Sequence, residues 1–342
     1  MKQYLEKLIN QENLTTEEIQ GLMTSCINGG VSESEIASFL TALRVKGETP
    51  EEIAGMVEVI RSHSTFNGTR ITNVMDNCGT GGDQSNSFNI STTAAFVIAG
   101  AGIPVAKHGN RSISSKTGSA DVLEHLGVSL SFAKEHVEEM LTENNIAFLF
   151  APHVHAGLKP FSKVRKDLGL PTVFNLIGPL TNPVQLDTQL LGVYRRDMLP
   201  MLAEALKKLG RRRALVVNGA GYMDEASLAG ENHLVLLEEG NVTSFTLHPE
   251  EVGLPVVPNE KIQGGSAADN AEITQQVLRG IPGPYLDTVL LNAGLGLYAN
   301  GAAGTIRESV ELARESIQSG AALERLENLV SYSRKLIGEV VS

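Results

Sequence analysis

The stretch KHGNRSISSKTGSADVLEHLG, Lys107–Gly127, packs two lysines, a histidine and an arginine among Gly, Asn, Ser and Thr, then runs into a short amphipathic segment. So many cations, hydroxyls and backbone amides in one loop are hydrogen-bond donors in search of an anion, and a phosphate or pyrophosphate needs that many. A solvated surface loop would ordinarily mix in Asp and Glu, yet residues 84–120 contain neither. At the chain's average density of 39 acids in 342 residues, about four would be expected there. A second acid-free run, residues 144–166, carries Lys159, Lys163, Arg165 and Lys166. In a chain of net charge −11, two stretches cleared of carboxylates point to an anionic ligand, whose attracting field nearby acids would cancel.

Three other constellations could serve the same ligand. GTGGD, Gly79–Asp83, follows a strand-like run; its glycines permit positive φ and bring amides close to a bound group, although an ordinary tight turn reads the same way. Asp83 could accept from sugar hydroxyls or cap a turn. NIST, Asn89–Thr92, opens an apolar helix, where hydroxyls are routine caps and free amides plus the helix dipole also bind phosphate. Asp224 and Glu225 stand together in YMDEASLAG. Beside a polyphosphate they suit Mg²⁺, which takes one or two carboxylates and shares the ion with substrate phosphates. His153 and His155 lack a third ligand and read better as pocket lining than as a metal site. The G-x-S-x-G, P-loop and G-x-G-x-x-G patterns are absent, which argues against acyl transfer, P-loop NTPases and dinucleotide enzymes.

Positioning these groups requires strand ends and helix starts. Thr15-x-x-Glu18, Ser32-x-x-Glu35 and Thr49-Pro50-x-Glu52 are three capping boxes, each followed by an apolar stripe of helical spacing. Residues 1–70 therefore read as a small all-helical domain. From Asn73 short apolar runs alternate with helical segments: NVMDNC, IPVAK, IAFLFA (146–151), QLLGV (189–193), RALVV (213–217) and HLVLL (233–237). That alternation predicts an α/β fold with a mainly parallel sheet covered by helices over 71–342. Ser119 reads as an N-cap and Gly127 as the stop of the helix between them. PFSKVRKDLGLPTVFNLIGPLTNP, residues 160–183, interrupts the alternation with four prolines, so part of 160–188 is expected to join the helical domain. Two cysteines are too few for a disulfide framework, and neither a signal peptide nor a membrane span is legible, which suggests a cytoplasmic protein. The acidic balance speaks against nucleic-acid or membrane partners.

Taken in order, CGTGGD, FNIST, VAKHGNRSISSKTGSADVLEHLG, VFNLIGPLTNP, QLLGVY and the Asp224–Glu225 pair closely resemble the anthranilate phosphoribosyltransferases, over nearly the whole chain. The resemblance implies a nucleoside phosphorylase/phosphoribosyltransferase-like homodimer with its active site between the two domains. It implies transfer of the phosphoribosyl group of phosphoribosyl pyrophosphate (PRPP) to the amine of anthranilate in tryptophan biosynthesis, with two Mg²⁺ per protomer. By matching position, Gly79, Gly82, Asp83, Ser87, Asn89, Ile90, Ser91, Thr92, Lys107, His108, Gly109, Asn110, Arg111, Ser112, Ile113, Ser114, Ser115 and Ser119 would contact PRPP. Ser91, Asp224 and Glu225 would bind magnesium; Gly79, Asn110 and Arg165 would contact anthranilate; Lys107, Asp224 and Glu225 would carry the catalysis. A guanidinium at Arg165 suits a substrate carboxylate on independent grounds. The chain departs from the family's usual pattern in QSNS after GTGGD, in HAGL (155–158) where His-Pro-Ala-Met is typical, in Asn218 for a frequent His and in Met223 for a Leu. A pyrimidine nucleoside phosphorylase and a non-catalytic nucleic-acid-binding relative are the rival readings.

Overall fold

In a computed structural model, described over residues 1–66, 71–111 and 116–341, the capping boxes start the helices expected of them. Thr15, Ser32 and Thr49 each accept from the amide three residues on, and Glu18, Glu35 and Glu52 reach back, at the heads of helices Thr16–Ile27, Glu33–Lys46 and Pro50–Ser62. Glu52 is wholly buried; it also accepts from the Leu14 amide at 2.9 Å and from Lys46 Nζ at 2.8 Å, so one carboxylate ties three turns of the bundle together.

The remainder is built on a seven-stranded sheet: β1 (Met75–Gly79), β2 (Val105–Gly109), β3 (Ile146–Phe150), β4 (Thr188–Gly192), β5 (Arg213–Asn218), β6 (Asn232–Glu238) and β7 (Asn241–Leu247). Its order is β3-β2-β1-β4-β5-β6-β7; the first five are parallel, and β6 and β7 run antiparallel. Six strands coincide with apolar runs of the sequence. The seventh, NVTSFTL, is an exposed edge and carries no such run. It returns from β6 through Glu239 and Gly240, both at positive φ, the two-residue turn that matches strand twist.

Both faces of the sheet are covered, as parallel strands require. Leu215 and Val217 of β5 belong to one buried cluster, with helices Ile90–Gly100 and Pro284–Asn300. Ala214 and Val216 point to the opposite cluster, which holds helix Leu199–Lys208 and the N-terminal helices. Phe161, Val164, Phe174 and Ile177 are buried in that second cluster as well, and Lys163 pairs with Glu33 at 2.7 Å, so helix Lys159–Leu168 lies against the bundle while its ends return to the sheet. Among the described residues no helix is long and apolar enough to cross a membrane.

Candidate active site

A cleft of about 620 Å³ opens over the carboxyl ends of β1 and β2, where ligands of open α/β sheets bind. Its floor starts at Gly79. The next residues, with Gly81, Gly82, Gln84 and Asn86 all at positive φ, coil the backbone tightly before it re-enters order at the Ser87–Gln263 bridge. Asp83 accepts from the Ser85 amide at 3.2 Å and from the Asp224 amide at 3.4 Å. Helix Ile90–Gly100 then begins with no side-chain cap, leaving its N-terminus to other acceptors. The Ser91 amide donates to Glu225 Oε1 at 3.1 Å, and Asn89 is held by Asn270 at 2.8 Å. Ile90 and Thr92 are buried in the core, so whatever they offer a ligand comes from the backbone.

The end of β2 supplies Lys107 and His108, both buried, and Gly109. A Cβ at Gly109 would collide with Ser119 and Phe148, which explains the glycine. Asn110 donates its amide to Ser119 Oγ at 3.2 Å and accepts from the Arg111 amide at 2.7 Å. Ser119 is thus the first residue of its helix rather than the N-cap; Gly118 takes that place and Ser119 braces the loop instead. Arg111 stands at the rim, paired with Asp121 at 2.8 Å and Glu124 at 2.9 Å, and meets an anion in the cleft only by leaving them. Ser112, Ile113, Ser114 and Ser115 lie outside the described residues.

Asp224 and Glu225 arrive from the loop between β5 and β6. Gly79 and Gly192 are register partners across β1 and β4, and a Cβ on either would strike Asp224, so two glycines open the strand ends to this loop. Asn218, where a His is frequent in the resembling family, spends its amide on the carbonyls of Val193, Tyr194 and Met223 and accepts from Arg196 Nε at 2.9 Å; it pins the loop's root. Asp224 accepts from the Gly81 amide at 2.6 Å. Burial pushes the Asp224 carboxyl well up, and the charges of Asp83 and Glu225 add to it. Burial also raises Glu225, against the opposing pull of Lys107 and Ser91. Three carboxylates crowding one another form an oxygen donor set that a hard dication relieves. Among the described residues no three His, Cys, Asp or Glu side chains form a metal cage by themselves.

The two acid-free loops share the cleft with the acids that the sequence places beside them. Asp83, Asp224 and Glu225 line it, and the cations lining it among the described residues are Lys107, Arg111, Lys159 and Arg165. Of the second acid-free run, Lys163 and Lys166 face outward.

The opposite wall comes from residues 151–181 and is more apolar: Pro152, His155, Leu158, Phe161, Phe174, Ile177 and Pro179. Arg165 lies 5.2 Å over the Phe174 ring, and burial alone pulls its guanidinium down. His155 packs edge-on against His108 at 5.3 Å between ring centres; burial holds both neutral, His155 down to about 4. His153 instead meets Phe66 and lies outside the cleft. Most of this wall does not read as binding surface in the sequence, although VFNLIGPLTNP belongs to it.

Family models of a glycosyl transferase match both parts: residues 2–64 its helical bundle domain and residues 71–323 its α/β domain. Fold and cleft therefore define a two-domain glycosyl transferase. An anthranilate phosphoribosyltransferase of Oceanobacillus iheyensis is 59% identical over all of both chains. The crystal structure of the Thermus thermophilus anthranilate phosphoribosyltransferase is 43% identical, with a TM-score of 0.92 over 97% of this chain and 99% of its own. The Saccharomyces cerevisiae enzyme, in complex with PRPP and Mg, is 30% identical with a TM-score of 0.88 over 97% of both chains. The chain belongs to the anthranilate phosphoribosyltransferase family, enzymes that join PRPP and anthranilate into phosphoribosylanthranilate in tryptophan biosynthesis.

Proposed function

We propose that this cleft carries out its family's reaction by dividing the work between its walls. The observation that carries this reading is that two charge sets line one cleft: Asp83, Asp224 and Glu225, and Lys107, Arg111, Lys159 and Arg165. A bare polyanion would be repelled by the first set, whereas a magnesium-bound diphosphate satisfies both.

PRPP occupies the wall of residues 79–119. Gly79, Gly82, Asp83, Ser87, Asn89–Thr92, Lys107–Ser115 and Ser119 hold it, at the β1 turn, the helix start and the end of β2. Ser91, Asp224 and Glu225 hold the metal, two Mg²⁺ per protomer. When bound, Mg²⁺ neutralises charge that develops on the departing pyrophosphate. Anthranilate lies against Gly79, Asn110 and Arg165, its carboxylate on the guanidinium.

The amine nitrogen bonds to C1 of the ribose as the C1–oxygen bond to pyrophosphate breaks, and the nitrogen then sheds a proton. The transition state has oxocarbenium character, so no covalent nucleophile is required. The chain's task is alignment of two substrates and stabilisation of the leaving charge by Lys107 and the loop amides. The neutral, apolar side chains of the far wall hold an aromatic ring and keep water from C1.

The same reading takes 1–70, with part of 160–188, and 71–342 as the two domains, a homodimer as the assembly and the cytoplasm as the compartment. Mixing the protein with PRPP, Mg²⁺ and anthranilate and following anthranilate fluorescence tests the activity; undiminished fluorescence refutes it. Light scattering behind a sizing column tests the dimer.

A further inference from the structure

β1 and β2 are neighbours, yet they stay in register only at Met75 with Val105, whereas β1–β4 and β2–β3 each keep five pairs. Beyond that point the two strands are joined through side chains. Asp76 Oδ1 accepts from the amides of Asn77 at 2.8 Å and His108 at 3.3 Å; Oδ2 accepts from Asn182 Nδ2 at 2.9 Å and Cys78 Sγ at 3.4 Å. Asn182 donates from the same amide to the Ala106 carbonyl at 2.8 Å, so it spans the opening from β1 to β2. One residue further along β1, Asn77 donates to the Ser91 carbonyl at 2.8 Å. Asp76 and Asn182 are both fully buried.

This wedge sits directly under the groups of the reaction. Asp76 bonds the backbone of His108, the residue after Lys107. Burial raises its carboxyl, against the pull of Lys107 and of the donors on Asn182, His108 and Cys78. Both carboxylate oxygens face donors, so an amide in its place would turn an N–H toward another N–H or a thiol. A buried carboxylate is expensive unless donors and a cation compensate it, and this one is met by four donors and the Lys107 charge.

We propose that Asp76, clamped by Asn182, is a positioning residue for the transfer reaction: it ties β1 to β2 beyond their one register pair and so fixes the backbone that carries Lys107 toward the departing pyrophosphate. The inference rests on the role given to Lys107 above. It also gives the segment before β4 a part in the chemistry, since Asn182 belongs to that segment and touches no cleft surface of its own.

A double-mutant cycle tests it. Asp76→Asn should lower kcat roughly tenfold or more while the PRPP dissociation constant, read by calorimetry with Mg²⁺, stays within about threefold. Lys107→Met alone should lower kcat about a hundredfold. The double variant should be no slower than Lys107→Met, because Asp76 acts through that lysine. Losses that multiply would overturn the positioning role and leave the reading of Lys107 intact. A normal kcat for Lys107→Met would instead bring down that reading, and the inference with it. Should Asp76→Asn fail to fold, Asn182→Ala enters the same cycle, with non-multiplying loss expected and multiplying loss or wild-type kcat overturning the clamp.

Discussion

The two walls of the cleft are made differently. The wall of residues 79–111 and 117–119 is backbone laid over strand ends, fixed by the sheet beneath it and by two glycines that admit Asp224. The wall of residues 151–181 is side chains on short helices that also pack into the core of the N-terminal bundle, through Phe161 and Val164. The polar groups proposed to meet PRPP sit on the strand ends; the surface proposed to take anthranilate sits on helices packed against the N-terminal bundle. Disturbing the first should therefore damage chemistry, and disturbing the second should damage recognition of one substrate.

The largest effect is expected at the carboxylates proposed to hold the metal. Asp224→Asn should lower kcat by about 10²–10³-fold in initial-rate assays, while the thermal midpoint in metal-free buffer rises, because a crowded buried charge is removed. A midpoint that falls would show that the three acids are not in conflict. Gly79→Ala comes next. Its Cβ displaces the Asp224 carboxylate, so turnover should drop about a hundredfold with a destabilisation of about 1–3 kcal/mol by urea melts. Turnover near wild type would mean that the loop tolerates displacement.

Arg165→Ala should raise the KM for anthranilate about 10–100-fold, the loss of a charge-assisted bond, and leave the KM for PRPP within about twofold. If both KM values rise together, the walls are not separate in function. The smallest effect concerns His155. Its folded pKa of about 4 lies below the ordinary 6.5, so the native state binds fewer protons than the unfolded chain between those values. Its contribution is present above pH 6.5 and is lost as pH falls through 4, a change of order 2–3 kcal/mol. Urea midpoints of wild type and His155→Gln at pH 7.5 and 4.5 check this; the variant's midpoint should fall less between them.

Legibility in the sequence follows the same division. The glycine turn, the helix start and the Lys107 loop are each short continuous motifs, so the chemistry of each shows locally in the sequence. The capping boxes are readable for the same reason. Asp76 does not stand out, since a lone Asp within a strand looks unremarkable until Asn182, more than a hundred residues on, closes over it. Asp83, Asp224 and Glu225 are each legible as site residues, but their mutual crowding is not, because they meet only where the loop after β5 folds over the ends of β1 and β4. Ser119 reads as a cap because a serine before a helix usually is one; the strand–loop brace to Asn110 outweighs that local preference. β7 shows no signal because an exposed edge needs no apolar face.

The pivotal measurement is calorimetric titration of PRPP into the protein with Mg²⁺ and again with chelator. One PRPP per chain, bound at least tenfold more weakly without metal and with that metal dependence gone in Asp224→Asn, is the expected result. Equal affinity with and without Mg²⁺, or no heat of PRPP binding at all, would contradict the assignment of the cleft.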